Sequence, residues 1–479
     1  MKNIFLKNLI IFFIIFVGFY LRFYQLNFED YWLDEHASFY SANPYFTFIE
    51  TIERNEFIDG FSYLMFTLIL KSYFNLFGYD PFIGRHITLM FGVLSLPLIG
   101  YLSYLLSDKK HYFLALFLVS INIYLINYSQ ELRPYSMLFF LYLLNIIFFY
   151  KLSENKLSNF KTYIYTFFFI LFSVLSLTLL PFVFLILFSQ TVYAIYIYFF
   201  FKKKLKLFFI SLPLILVLYF SINYDFIINK IILTNYIENV YGQPWMKQIG
   251  LKFYYNYFFS RFFGSLIMGS IYLASLIYLL IKFRKKIFVE ESKLTLLFFI
   301  LVFSYLIPLV YGYIKVPVLL DRYIGFVLIP IILLISLLIF EIKNKKIKFS
   351  LLFFIITSTV INNFFEIKFR KHFKPELVKT IKYLQKTDVL SYSLKEPYRP
   401  ETIILENYLT SLGKKNNKNI KYYELQNIPS SLSKIWVICY EPITGFDCSL
   451  SSDFTDSWKK IETKKFYHSQ LSLYNKIKN

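Results

Sequence analysis

Long runs of apolar residues, separated by short polar segments, dominate the chain. Eleven runs can be recognised, near residues 4–21, 82–106, 112–127, 134–150, 162–177, 180–201, 207–224, 257–281, 294–313, 319–340 and 349–366. A helix needs roughly 20 apolar residues to cross a hydrocarbon layer about 30 Å thick. The pattern therefore predicts a polytopic α-helical membrane protein with about eleven transmembrane helices.

The apolar segment at residues 61–77 decides the topology. Lysine clusters such as "FKKKLK" and "KFRKK" recur in the loops between spans, and the positive-inside rule places such loops in the cytoplasm. If residues 61–77 crossed the membrane, every later lysine cluster would lie outside. We therefore expect a cytoplasmic N-terminus, a helix at residues 61–77 that lies in the membrane interface, and a first external loop at residues 22–81.

The polar tail, residues 367–479, differs in composition from the membrane domain, residues 1–366. The segments "DVLSYS", "IKYYEL", "KIWVICY" and "HSQLSLYNKI" are typical of strands, and "ELVKTIKYLQK" and "ETIILENYLTSL" of helices. This predicts a small external α/β domain. Its two cysteines, Cys439 and Cys448, either form a disulfide, if the tail lies outside, or are small buried hydrophobic residues.

Composition supports this class. The chain is 57% hydrophobic and 22% aromatic, and its net charge is +21. The basic residues lie in loops between apolar segments and not on one soluble face. The positive charge therefore indicates which loops are cytoplasmic, and it excludes a nucleic-acid partner. Membrane lipids are the partners that it predicts.

The first external loop is acidic, against the sign of the whole chain. From Asn27 to Asp59 the only cation is Arg54, whereas the acidic residues are Glu29, Asp30, Asp34, Glu35, Glu50, Glu53, Glu56 and Asp59. Adjacent carboxylates at a membrane surface are more often solvated loop residues than catalysts. The predicted topology, however, places three arginines at the same face, namely Arg85, Arg133 and Arg322.

This combination of charges suits one reaction class. A carboxylate can accept the proton of an attacking hydroxyl, and arginine can bind and stabilise a departing phosphate. Sugar transfer from a lipid-linked phosphate needs both groups. Arginines at span ends can instead reach out to lipid headgroups, and the sequence leaves that alternative open.

Four stretches carry a family resemblance. "LRFYQLNFEDYWLDEHASFYSA" contains a Trp-x-Asp-Glu motif just after the first span, and "YLMFTLILKSYFNLFGYDPFIGRHITLMFGVLSLPLIGYLSYLL" contains an aromatic juxtamembrane helix, an "LFG" turn and a second span that begins near an arginine. The stretches "QELRPYSMLFFLYLL" and "DRYIGFVLIP" follow later. They resemble the polyprenyl-phosphate-dependent GT-C glycosyltransferases of the protein mannosyltransferase and aminoarabinose transferase type. The resemblance covers roughly residues 15–150 and 315–340. It departs from the family at "FIDGFSYL", where many relatives have a proline pair.

The resemblance implies an inverting transfer of a sugar from a polyprenyl-phosphate donor to an envelope acceptor, which is a lipid, glycan or protein. The reaction would occur at the outer face of a bacterial inner membrane. The implied catalytic residues of the loop are Asp34, Glu35 and Asp59. The implied substrate-binding residues are Arg85, Arg133, Lys315, Arg322, Tyr135 and Tyr323.

Other sites and functions compete with this interpretation. No cofactor is required by these motifs, although His36 beside Asp34 and Glu35 raises the alternative of a divalent cation. Trp245 and Tyr241 could stack on a sugar or belong to an interfacial aromatic belt. A transporter or lipid flippase is the main alternative function; it would favour internal repeats and broken helices. A membrane scaffold and an oligosaccharide polymerase or ligase explain the early acidic loop less well.

Overall fold

The computed structural model describes residues 2–60, 62–107, 111–153, 159–224, 228, 260–290, 292–315, 317–395, 399–415, 420–440 and 448–477. Helices make up most of these residues. Before the C-terminal domain they are α1 Lys2–Phe23, α2 Leu33–Ser41, α3 Phe48–Asp59, α4 Leu64–Phe77, α5 Pro81–Leu106, α6 His111–Ser120, α7 Ile123–Ser129, α8 Tyr135–Leu152, α9 Asn159–Leu179, α10 Val183–Phe201, α11 Lys206–Ile222, α12 Ser260–Phe263, α13 Leu266–Lys282, α14 Ser292–Ile314, α15 Leu328–Phe340 and α16 Lys345–Lys368. A π-helix, Lys286–Glu290, and a 3₁₀-helix, Gly325–Val327, complete this part.

The protein is an integral membrane protein. Within the described ranges, seven helices are long and apolar enough to span a bilayer: α1, α5, α8, α9, α10, α14 and α16. The pair α6 and α7, bent by 56°, is an eighth candidate. The remaining three predicted runs coincide with the shorter apolar helices α11, α13 and Gly325–Phe340. Every predicted run thus contains a helix, while the number of eleven spans stays a prediction.

The bend between α6 and α7 has a polar cause. Arg22, buried at the end of α1, donates hydrogen bonds from Nη1 to the Ser120 carbonyl at 2.8 Å and from Nη2 to the Val119 carbonyl at 3.1 Å. Asn122 caps the following helix, because its Oδ1 accepts from the Leu125 N–H at 3.0 Å. A helix can end inside an apolar bundle when its freed backbone groups are satisfied in this way.

Helix α4 occupies the segment for which an interfacial helix is predicted. It buries Phe66, Leu70 and Phe74 in the core and leaves Leu76 and Phe77 exposed. The ammonium of Lys71 donates hydrogen bonds to backbone carbonyls of the segment between α2 and α3. Lys71 thus holds two parts of the acidic loop together.

The C-terminal domain is a five-stranded mixed sheet with helices α17 Leu377–Leu384, α18 Arg399–Lys415 and α19 Ser452–Ser457. The strands are β1 Ser391–Leu394, β2 Lys421–Tyr422, β3 Lys434–Tyr440, β4 Trp458–Phe466 and β5 Ser469–Lys476. Their order is β2-β1-β3-β5-β4, parallel from β2 to β3 and antiparallel from β3 to β4. The small α/β domain predicted from the sequence is confirmed, and Cys439 and Cys448 form a disulfide.

The C-terminal domain packs directly on the acidic loop. Tyr408 of α18 lies between Tyr31 and His36, with ring centroids 5.2 and 4.4 Å away. The Tyr79 hydroxyl donates to Asn407 Oδ1 at 2.6 Å. The domain therefore covers helix α2, which carries the Trp-x-Asp-Glu motif.

Candidate active site

Two adjacent carboxylates in the first turn of helix α2 form ion pairs with different partners. The helix begins at Leu33, directly after Trp32, and contains Asp34 and Glu35 in its first turn. Successive helical residues point about 100° apart. Asp34 accordingly reaches Arg322, and Glu35 reaches Arg85.

Glu35 is the centre of a buried ion pair. Its side chain is fully buried, and it accepts two hydrogen bonds from Arg85, from Nε at 2.8 Å and Nη2 at 2.9 Å. It also accepts from Lys374 Nζ and the Leu132 N–H, both at 2.7 Å. Burial raises the pKa of this carboxyl, but the charges of Arg85 and Lys374 outweigh burial and lower it to about 2. Glu35 is therefore a permanent anion in the protein framework.

Arg85 is equally enclosed. Besides Glu35, its guanidinium donates to the backbone carbonyls of Leu26, Glu29 and Asp30 at 2.6 to 3.1 Å, and only 2% of the residue is exposed. Arg85 thus fixes the loop between α1 and α2, and its donors point into this loop.

The segment between α16 and α17, residues 369–376, is a basic linker that binds other carboxylates of the acidic loop. Arg370 lies 3.7 Å from a Glu29 oxygen, and the Phe373 N–H donates to Glu29 Oε1 at 2.6 Å. Asp30 Oδ2 accepts from the Val378 N–H, in the first turn of α17, at 2.6 Å. Sequence reasoning missed this linker, although the run "FRKHFK" directly after the last span has the charge that complements the acidic loop.

A second cluster of charges is partly open to solvent. Arg322 Nη1 donates to Asp34 Oδ2 at 2.9 Å, and the two side chains are 23% and 26% exposed. Arg133 donates from Nη2 to Asp59 Oδ1 at 3.1 Å and from Nη1 to the Asp34 carbonyl and Ser38 Oγ, both at 3.0 Å. The structure brings together Asp34, Asp59, Arg133 and Arg322 from four separate elements.

Tyrosines surround this cluster. The Tyr63 and Tyr135 hydroxyls lie 3.3 Å apart, and the Arg133 guanidinium lies over the Tyr63 ring at 4.6 Å. The Arg322 guanidinium lies 5.6 Å from the centroid of the Tyr323 ring. Lys315 is exposed at the end of α14 and has no described hydrogen bond or ion pair to the cluster. Trp245 and Tyr241 lie outside the described residues.

The electrostatics distinguish Asp59 from an ordinary surface acid. Burial raises the pKa of Asp59, an effect that Arg133 opposes. Burial lowers the pKa of His36 to about 3, so this imidazole is neutral at physiological pH. In the described part of the chain no three His, Cys, Asp or Glu side chains converge as a metal site would require.

The fold defined by this helical bundle and its small sheet domain is that of the GT-C-like membrane proteins. Two crystal structures of ArnT from Cupriavidus metallidurans share it: the apo form, with a TM-score of 0.61 over 99% of this chain and 98% of that chain, and the form bound to undecaprenyl phosphate, with a TM-score of 0.58 over 97% of each chain. Sequence identities are only 9% and 10%. The likeness therefore confirms the predicted fold. No protein-family model and no curated protein sequence matches the chain.

Proposed function

We propose that the protein is a glycosyltransferase that moves a sugar from a polyprenyl-phosphate donor to an envelope acceptor. The observation that carries this proposal is the partly exposed pair of Asp34 and Arg322, joined at 2.9 Å. A base for the acceptor and a cation for the leaving phosphate thus stand side by side. The ArnT fold, in one structure bound to undecaprenyl phosphate, supports the same donor class.

In this proposal the reaction is a single displacement. The acceptor hydroxyl gives its proton to Asp34 while its oxygen forms a bond to the anomeric carbon. The bond between that carbon and the phosphate oxygen breaks, and the electron pair stays on the phosphate, which Arg322 stabilises. Attack opposite the leaving group inverts the anomeric centre. Donor phosphate competes for the Arg322 guanidinium, so donor binding frees Asp34 to act as the base.

The other charged residues position these two. Arg133 holds the start of α2 through the Asp34 carbonyl and Ser38, and Asp59 orients Arg133. Arg85 and Glu35 fix the preceding loop. We assign Glu35, Asp59, Arg85 and Arg133 positioning roles. Contact of Tyr135, Tyr323 and Lys315 with substrate stays a prediction.

We propose that the site opens to the outer face of a bacterial inner membrane, with the N-terminus in the cytoplasm. The disulfide between Cys439 and Cys448 supports an external C-terminal domain, because disulfides persist in oxidising compartments. The arrangement also suits the substrates, since a lipid donor arrives within the membrane and an acceptor from its outer surface.

Replacement of Arg322 tests the phosphate role. We expect Arg322→Gln to lower kcat by about 10²- to 10³-fold, the usual loss when a group that stabilises developing charge is removed. Arg322→Lys keeps the charge but loses the planar fork, so a smaller loss is expected. The measurement is release of free undecaprenyl phosphate from a panel of radiolabelled undecaprenyl-phosphate sugars by reconstituted protein.

Arg261→Gln is the matched control. The Arg261 side chain is 47% exposed, and it pairs with Asp321, the residue before Arg322 in the sequence. This variant should keep most of the activity. If the wild-type protein turns over no sugar of the panel, the transferase proposal fails and a transporter becomes the leading interpretation. Full activity of Arg322→Gln would remove Arg322 from the site.

Removal of divalent cations is expected to leave the transfer rate unchanged within about twofold. Asp34 and Asp59 each form an ion pair with an arginine. The protein itself therefore neutralises the carboxylates that a divalent cation would bind. The test compares rates after dialysis against EDTA and after addition of Mg²⁺ or Mn²⁺. A rate that collapses on chelation and returns with one cation would assign that cation to the loop.

A further inference from the structure

A cavity of about 370 Å³ lies between the end of α10 and the start of α11, at the end of the bundle that is far from the acidic loop. The Phe182 ring, just before α10, contacts the Tyr323 ring of the proposed active site. From there α10 runs for 19 residues, a length of about 28 Å. In the proposed orientation, with the N-terminus in the cytoplasm, the cavity lies in the cytoplasmic half of the membrane.

Two consecutive helices diverge at this cavity. Helix α10 packs chiefly against α14, whereas α11 packs chiefly against α9. The chain turns between them through Lys202, whose φ of +56° is in the left-handed region. The ammonium of the next residue, Lys203, donates a hydrogen bond to the Ser153 carbonyl at the end of α8. The turn is thus anchored to the bundle, and a cleft stays open between the two helix ends.

The helix side of the cavity is an apolar wall. Ile195, Tyr198 and Phe199 line it from α10, at the spacing of three and four residues that places side chains on one helix face. Phe209 lines it from α11. All four side chains are exposed, and α10 is long and apolar enough to span a bilayer. This wall is therefore in contact with lipid chains when the protein is in a membrane.

The turn side of the cavity is a basic wall. Lys204 and Lys206 line it, and both are exposed. Neither ammonium has a hydrogen bond or an ion pair to a described residue, and residues 180–224, which include both helices, contain no aspartate or glutamate. Tyr198 adds a hydroxyl group that can donate a hydrogen bond. Basic pockets between transmembrane helices are suited to anionic headgroups.

We propose that this cavity binds one anionic phospholipid, with its phosphate between Lys204 and Lys206 and its chains along the apolar wall. A soluble anion would leave the apolar wall uncovered, and a zwitterionic lipid would bring a second ammonium group towards the two lysines. The bound lipid fills the cleft between α10 and α11 and links their ends. Binding does not depend on sugar transfer; only the assignment to the cytoplasmic leaflet follows from the proposed orientation.

Lipid binding by the purified full-length protein tests the proposal. The protein is titrated with phosphatidylglycerol or phosphatidylethanolamine, and retained lipid is measured by native mass spectrometry. We expect the wild type to saturate with one tightly held phosphatidylglycerol and to prefer it at least about fivefold over phosphatidylethanolamine. Lys204→Gln and Lys206→Gln should each weaken phosphatidylglycerol binding by about fivefold, the usual contribution of one lysine near an anionic headgroup.

Lys202→Asn is the matched control. Lys202 is exposed in the same turn and is not part of the cavity wall. Asparagine removes the charge and tolerates the left-handed backbone, so this variant should bind phosphatidylglycerol within about twofold of the wild type. Equal losses in all three variants would show that the turn attracts anionic lipid diffusely, and they would overturn the site. Equal retention of phosphatidylethanolamine by the wild type would overturn it as well.

Thermal unfolding gives a second readout that does not involve sugar transfer. A ligand that binds only the folded protein raises its melting temperature. Phosphatidylglycerol should therefore raise the melting temperature of the wild type and of Lys202→Asn, but not that of the double variant Lys204→Gln/Lys206→Gln. Without added lipid the three proteins should melt at the same temperature, because the replaced side chains are exposed. An equal rise in the double variant would show that the lipid binds elsewhere.

Discussion

Asp34→Asn is expected to lower sugar transfer by about 10³-fold. The variant preserves size and one oxygen for Arg322, but it cannot accept the proton of the acceptor hydroxyl, and general base catalysis contributes about 10²- to 10⁴-fold. A thousandfold loss equals about 4 kcal/mol in the activation free energy. The measurement is the initial rate with a saturating undecaprenyl-phosphate sugar that the wild type uses.

Two comparisons make the Asp34 result specific. Glu53→Gln changes an exposed carboxylate of the same loop and should retain wild-type activity. Native mass spectrometry measures donor binding as the amount of undecaprenyl phosphate that the protein retains. Asp34→Asn should retain at least as much as the wild type, because the phosphate then no longer competes with the Asp34 carboxylate for Arg322. An active Asp34→Asn variant would show that another group takes the proton.

The open charge cluster could be predicted from sequence only through the motifs. Asp34 and Arg322 are 288 residues apart, and no periodicity or spacing relates them. The predicted topology placed both at one face, and the family resemblance singled out their motifs. The buried partners of Glu35 could not be found in the same way, because burial depends on the C-terminal domain packing over α2.

The length of the apolar runs was sufficient to predict the helices of the membrane domain. It could not predict the bend after Ser120, because the polar group that satisfies the carbonyls there is Arg22, about 100 residues earlier in the chain. Strand β4, "WKKIETKKF", was also missed. It is an edge strand with mostly exposed residues, so it lacks the apolar alternation by which strands are recognised, and its lysines are typical of a protected sheet edge.

Glu35→Gln is expected to lower the free energy of unfolding by about 3 to 5 kcal/mol, the usual cost of removing one partner from a buried ion pair. Glutamine fits the same space, but it leaves the buried Arg85 guanidinium without an anion and releases Lys374 from its 2.7 Å contact. Lys374→Gln is the matched control. Lys374 is 17% exposed and Arg85 keeps Glu35 in this variant, so a smaller loss is expected.

The pH dependence of stability distinguishes two effects of Glu35→Gln, namely loss of the Glu35 charge and disturbed side-chain packing. The pKa of Glu35 is lowered from 4.5 to about 2 in the folded protein, so its ionised form stabilises the fold fully above pH 4.5. That contribution declines as the pH falls from 4.5 to 2, because the unfolded chain takes up the proton first. Melting temperatures, followed by intrinsic fluorescence, should therefore differ most between wild type and Glu35→Gln above pH 4.5 and converge towards pH 2. A constant difference across this window would mean that the glutamine disturbs packing and that the Glu35 charge does not support the loop beneath the active site.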